Sequence, residues 1–393
     1  MELNHSLSFS DSLFFLYILA SVSFVAIWKR FLQNSFSYSW ALAAVSTVNI
    51  LFLYPKPIQL LGLITYLYLC LFALRKWYHS NKIAFPMLIL AVPIILMKSS
   101  ITITLEGASD TGLAFKNIIQ IAGLSYMVFK VIGLYIDERR NESSISFFSF
   151  YNFVAFAPTL LIGPIDRFRR FENDVKTASK SFGWKSLKIG WSNFILGLLY
   201  KFIIAEAIYR LVLTQIDVGN ILLDHWISMY AYLLYLFFDF AGYSLLAIAF
   251  GSFLGISVPI NFDKPFLALN PKEFWRKWHK SLGDWLGDYF FKPIFKDLTS
   301  KKLFNSIQRQ NIALFLTFTL MGFWNGFELH FIASGVLFSI YSATHNYYAY
   351  LCKKKKKDVF FGSLKAKYVR LISIFIMFHS VAFAIYIFSG KLF

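Results

Sequence analysis

The 393-residue chain gathers its most reactive side chains into three short stretches. The first, residues 270–289, opens Asn270-Pro271-Lys272-Glu273-Phe274-Trp275-Arg276-Lys277-Trp278-His279. His279 carries the side chain whose ordinary pKa lies nearest neutrality, so it can exchange a proton at working pH. The second, residues 321–330, reads Met-Gly-Phe-Trp-Asn-Gly-Phe-Glu-Leu-His and brings Trp324, Asn325, Glu328 and His330 to the edge of a very apolar segment. Polar groups entering such a segment are costly and are functional candidates by default. The third, residues 232–244, sets Asp239 in the middle of an apolar run, where an unpaired carboxylate is expensive. Arg276 or a Tyr hydroxyl is the expected partner. Each residue also has a plain structural reading: His279 as a packing side chain, Glu328 as a wet helix end, Asp239 as a clamp. Residue type and spacing leave both readings open.

These side chains need elements to hold them. Asn270 followed by Pro271 is a helix start, a capping side chain before a proline in the first turn. Phe274, Trp278, Leu282, Trp285 and Tyr289 then recur at helical spacing on one face, with Lys272, Arg276, Lys280 and Asp284 on the other. So many charges cannot cross a bilayer, and the pattern predicts an amphipathic helix in the interface or tucked into the protein. Gly283 and Gly287 are the expected breaks.

The rest of the chain is made for lipid. Hydrophobic residues make up 57% and charged residues 15%, against about 45–50% and about 25% in soluble domains. A soluble core of this size cannot hide that much apolar surface, which excludes a soluble enzyme, a disordered chain and a fibrous protein. The 46 Phe, 22 Tyr and 10 Trp suit lipid-facing and interfacial surfaces. The net charge of +18 comes from 39 basic against 21 acidic residues, with the basic ones mostly in short stretches between apolar runs. That is the pattern of cytoplasmic loops facing anionic lipid, not of nucleic-acid binding.

Apolar runs lie at 12–28, 36–54, 57–74, 83–97, 111–136, 146–165, 186–214, 220–255, 311–326, 328–351 and 368–389. They predict an all-α polytopic membrane protein of roughly eleven embedded helices. The first run ends in Lys29-Arg30 and lacks a basic lead, so it reads as a membrane helix with a cytoplasmic end, not a removed signal peptide. Proline in 83–97 and 146–165 predicts broken, re-entrant pieces, and 262–302 an interfacial one. No repeat of fixed period supports a transporter. The basic connector 167–188 and the lysines at 353–357 are expected on the cytoplasmic side. Cys70 and Cys352 have no metal-ligand spacing, and neither a disulfide nor a metal site is expected.

The motifs together make the sequence recognisable. It resembles the membrane-bound O-acyltransferase superfamily, and within it the DltB-like branch of teichoic-acid D-alanylation. The residues that carry this are Pro158-Thr-Leu-Leu-Ile-Gly-Pro-Ile-Asp-Arg-Phe-Arg-Arg-Phe171, residues 235–244, residues 261–289 and the Gly322-Phe323-Trp324-x-Gly326 corner. The likeness is densest over 155–326, and one membrane-embedded domain over 1–393 is expected. The Gly-Pro-Ile-Asp-Arg-Phe-Arg-Arg-Phe run favours this branch over alginate O-acetylation. The resemblance implies helices ringed around a funnel in a plasma-membrane, multi-pass protein. It implies a donor of D-alanine held as a thioester on the phosphopantetheine of a small acidic cytoplasmic carrier protein. An extracytoplasmic partner protein would help the product reach the teichoic acid. No cofactor is expected on this chain itself.

One position departs from the family. Its corner reads Trp-His-Gly, with that His held to be catalytic, whereas this chain has Trp324-Asn325-Gly326. The family's other His, in Phe-Trp-x-x-Trp-His, is retained as His279. Branches that pair one His with one Asn have them in the opposite order. An amide takes no proton; it only orients a group or steadies an oxyanion. His279 as the base, His330 as a displaced base, and an impaired chain therefore compete. His330 lies about 140° round an ideal helix from Asn325. The expected site is His279 and Asn325, with Trp275, Trp278, Trp324, Asp239 and Arg276 in support. O-acetylation of an envelope polysaccharide and a catalytically silent scaffold are the alternatives.

Overall fold

In a computed structural model of the chain, the described residues are 12–31, 37–54, 56–78, 80, 83–98, 123–139, 145–161, 163–216, 219–356 and 366–392. Every regular element among them is helical. Residues 111–122 of the apolar run 111–136, and Lys357, fall outside them.

The first helices are α1 (Ser12–Phe31), α2 (Tyr38–Leu53), α3 (Pro57–Trp77), α4 (Ala84–Lys98) and α5 (Leu124–Glu138). Proline opens α3, and Arg75 and Lys76 close it, where cations suit the helix dipole. The run 146–165 breaks as its prolines predict, whereas 83–97 does not: α4 runs unbroken with Pro93 inside it. Helix α6 (Phe147–Val154), capped by Ser146 Oγ on Ser149 N, lasts eight residues before a 3₁₀ turn at Ala157–Thr159. At about 12 Å it is too short to cross a bilayer. Helices α7 (Phe168–Ser181), α8 (Trp184–Leu198, continued as wide turns to Leu213) and α9 (Ile221–Phe253) follow. The last group is α10 (Pro271–Trp275), α11 (Lys280–Leu286), α12 (Lys292–Ser300), α13 (Ser306–Asn325), α14 (Leu329–Lys354) and α15 (Ala366–Phe388). Among the described residues, Pro57–Trp77, Ile221–Phe253 and Lys367–Phe388 are long and apolar enough to cross a membrane.

The chain divides into two compact units, Met1–Gly197 with Tyr243–Pro259, and Leu198–Gly242 with Ile260–Phe393. In the first, Tyr38 donates to Leu254 O at 2.6 Å and Tyr17 to Val45 O at 2.6 Å. Lys130, 2% exposed, donates to Thr159 Oγ1 at 2.7 Å and Phe153 O at 3.3 Å, tying α5 to the broken segment. The connector 167–188 is not an open basic loop. It forms α7 and the start of α8, and its arginines meet acids on α5, just before α7 and on α7 itself. Arg169 pairs with Glu138, while Arg170 bonds Asp166 and reaches Asp174 at 3.1 Å and Ser257 Oγ at 2.7 Å. Burial pushes the Asp166 carboxyl up, and Arg170 opposes that shift. The Gly-Pro-Ile-Asp-Arg-Phe-Arg-Arg-Phe run is thus an electrostatic clamp within the first unit.

In the second unit α13 and α14 form a tight hairpin. A Cβ on Gly322 would lie 2.7 Å from Phe331 O, and one on Gly335 2.4 Å from Phe318 O, so only glycine lets the backbones close. Lys353 and Lys354 end α14, with Lys355 and Lys356 beyond, all four exposed.

Candidate active site

The site is built on a broken helix. Asn270 Oδ1 accepts from Glu273 N at 2.9 Å and Pro271 takes the first turn, so α10 starts where the sequence places it. The apolar stripe is buried throughout: Phe274, Trp278, Leu282, Trp285 and Tyr289 all face the interior. The break in the backbone, however, lies at His279 and not at Gly283, while at Gly287 the α-helix passes into wider helical turns. His279 takes φ 44° and ψ 49°, left-handed backbone that a side chain with a Cβ adopts at a cost of order 1–2 kcal/mol. Gly283 instead serves packing, since a Cβ there would sit 2.9 Å from Trp275 O. Its bareness lets α11 fold back against α10.

What holds the strained turn is the segment before it. Asn261 O accepts from Lys280 N at 2.9 Å, and Asp263 N donates to Lys277 O at 2.9 Å. Asn261 Oδ1 accepts from Ser281 N at 3.2 Å and Ser281 Oγ at 2.6 Å. Strain fixed by surrounding bonds in this way marks functional sites. The His279 side chain is 6% exposed, its ring stands near-perpendicular to that of Phe240 at 4.7 Å between centroids, and neither ring nitrogen has a hydrogen-bond partner within the chain. Burial pushes the imidazole pKa down to about 3. It is therefore neutral at ordinary pH, with one N–H and one lone pair available.

The Trp324 ring stands 6.5 Å from the His279 ring, centroid to centroid. The second motif thus meets the first across α13. Asn325 is the last residue of α13, and its Nδ2 donates to Met321 O at 2.8 Å, turning the amide back on its own helix. Gly326 is required just after it, because a Cβ would lie 2.5 Å from the Phe331 ring. The arrangement offers a buried neutral base beside indole and phenyl walls, suited to moving a proton out of reach of water.

Residues 58–388 match the membrane-bound O-acyltransferase (MBOAT) family. The chain belongs to the membrane-bound O-acyltransferase family. This MBOAT chain is an acyltransferase and a membrane protein. It is 37% identical to "Teichoic acid D-alanyltransferase" of Bacillus subtilis (strain 168), over 70% of each chain. It is 30% identical to the protein of that name from Streptococcus thermophilus, over 100% of this chain and 97% of the relative. "Peptidoglycan O-acetyltransferase" of Helicobacter pylori is 32% identical over 53% of this chain and 39% of its own.

The other expected site residues of this MBOAT protein divide sharply. Trp275 and Trp278 pack beside the turn. Trp278 stacks on Phe274, and Trp275 lies 4.9 Å from Phe338 and 5.2 Å from Phe318 between ring centroids. Arg276 is exposed and is not the partner of Asp239. That partner is Lys201, at 2.5 Å, from the wide turns after α8. Lys201 within the apolar run 186–214 and Asp239 within 220–255 were the available signal. His330 faces away from the turn: its Nδ1 lies 3.4 Å from Phe388 O and its ring packs on Phe331. Asn261 and Phe240 went unmarked, because their roles arise from contacts distant in sequence.

Proposed function

We propose that this chain is a plasma-membrane, multi-pass transferase that moves D-alanine from a carrier-protein thioester toward a teichoic-acid-type polymer. The observation that carries the reading is extent. Likeness to a teichoic acid D-alanyltransferase runs over 100% of this chain, whereas the peptidoglycan O-acetyltransferase matches 53% of it. The donor would be the phosphopantetheine thioester of a small acidic cytoplasmic carrier protein, with an extracytoplasmic partner receiving the product. The net charge of +18 suits an acidic carrier electrostatically. About eleven embedded helices around a funnel belong to the same proposal.

In this reading His279 is the base. The acceptor hydroxyl oxygen bonds to the thioester carbonyl carbon, and its proton passes to the free lone pair of the His279 imidazole. The C–S bond then breaks, and the proton moves on to the departing thiolate. A base held at so low a pKa has little driving force by itself. Negative charge growing on the acyl oxygen nearby offsets the imidazolium, so His279 gains basicity as the bond forms. Asn325 orients the corner and takes no proton.

The test is base-labile D-alanine released from whole envelopes of cells carrying wild type, His279→Ala, Asn325→His or both changes. The expected result is ester in wild type, loss by about 10²–10⁴-fold in His279→Ala, and ester retained in Asn325→His. Unchanged ester in all four, the outcome for a scaffold, overturns the reading. Acetate in place of D-alanine redirects it to O-acetyl transfer.

A further inference from the structure

Asn261 holds the His279 turn with one half of its amide only. Its Oδ1 takes both Ser281 bonds, the backbone one at 3.2 Å and the hydroxyl one at 2.6 Å. Ser281 N is a donor only, so the amide cannot be turned round without setting N–H against N–H. Nδ2 is therefore committed to the other side, with two N–H donors. The residue is 1% exposed, yet Nδ2 has no hydrogen-bond partner within the chain. Leaving such a donor unmade costs about 1–3 kcal/mol. His279, two residues before Ser281, leaves both ring nitrogens in the same condition. One ring links the two segments: Phe240 lies 5.1 Å from Phe262, the residue after Asn261, and 4.7 Å from His279 between ring centroids. Unsatisfied buried groups on both strands of one strained turn describe a binding site whose ligand supplies an acceptor oxygen.

We propose that Asn261 is a substrate-binding residue of this site, whose Nδ2 donates to the oxygen of the acyl carbonyl under attack. Its segment closes the turn through Lys280 N, so the residue that fixes the base also steadies the charge that the base's action creates. When the hydroxyl oxygen adds to the carbonyl carbon, the carbonyl electron pair moves to that oxygen, and the amide N–H groups receive it. Collapse returns the pair, breaks the C–S bond and frees the thiol with the proton carried by His279. The amide is preorganised, as such donors must be to lower a barrier. This rests on the acyl-transfer reading above and adds the residue that binds the reacting oxygen.

Asn261→Asp tests it, because a carboxylate keeps the acceptor for Ser281 and removes the donors. Purified full-length protein is assayed with D-alanyl carrier protein as donor. The expected result is a kcat lower by about 10²–10³-fold with KM for the carrier little changed. Wild-type kcat in Asn261→Asp overturns the proposal. Should Asn261→Asp fail to fold, Ser281→Ala and Ser281→Thr decide. A several-fold drop in kcat in the alanine variant, restored by threonine, supports it; unchanged kcat in both overturns it. If wild type transfers no D-alanine, the donor reading falls separately, and S-acetylpantetheine becomes the probe. Thermal protection of wild type that Asn261→Asp lacks supports the proposal. Equal shifts, nil included, overturn it.

Discussion

Lys201 Nζ lies 2.5 Å from Asp239 Oδ1, joining two largely apolar segments through a partly buried ion pair. The side chains are 19% and 29% exposed, so neither charge is fully hydrated. Removing one partner takes the main counter-charge from the other in a largely apolar setting. Lys201→Ala and Asp239→Ala should each destabilise by up to about 3 kcal/mol, the low end for buried pairs because this one is partly wet. The double variant should be less destabilised than the two singles summed, by about 0.5–3 kcal/mol. Thermal unfolding in detergent across the four proteins measures this, and strict additivity refutes the coupling.

The two glycines after the His279 turn should respond in opposite ways. A Cβ at Gly283 meets the Trp275 carbonyl oxygen at 2.9 Å, and that backbone cannot yield without moving α10 from α11. Gly283→Ala should cost about 1–3 kcal/mol and lower transfer by displacing His279. At Gly287 nothing lies within 4 Å, and φ is −59°. Gly287→Ala should stabilise by about 0.4–1 kcal/mol by restricting the unfolded chain. Paired melting curves and ester assays check both signs.

The pH profile should show the buried imidazole. A His279 pKa lowered from 6.5 to about 3 leaves the proposed base deprotonated through the neutral and mildly acidic range. The acid limb of kcat/KM should therefore lie below about pH 5. For stability the sign is the same: the unfolded chain binds a proton near pH 6.5 and the folded one only near 3. The contribution is complete above 6.5 and is lost progressively as pH falls toward about 3. An acid limb centred near 6.5 would mean that the base is a hydrated group elsewhere.

Arg170 should matter to folding and not to chemistry. Its guanidinium joins Asp166, Asp174 and Ser257 within the first unit. Arg170→Ala should lower the yield and thermal stability of purified protein by leaving the buried Asp166 without its main counter-charge. The protein that does fold should keep a wild-type kcat for its own D-alanyl or acyl donor. A kcat drop with unchanged melting would move this motif into the reaction.

The sequence alone determined what local chemistry decides. Composition fixed lipid as the solvent, proline broke the 146–165 run, Asn270 with Pro271 started α10, and the stripe from Phe274 to Tyr289 became the buried face. His279 stood out by residue type, and the departure at Asn325 by its place in a motif. Tertiary structure decided everything that depends on partners far along the chain. It moved the helix break to His279, because the strain there is held by Asn261, 18 residues earlier, through bonds to Lys280 and Ser281. It gave Asp239 to Lys201 in place of Arg276, since charge complementarity in an apolar segment is satisfied by whichever cation the fold brings near. It turned His330 toward Phe388, because α14 restarts after the Gly326 corner and presents that residue to the chain's last helix. Periodicity orders the faces of one helix. Which side chains meet across several is set by packing, and no local pattern encodes it.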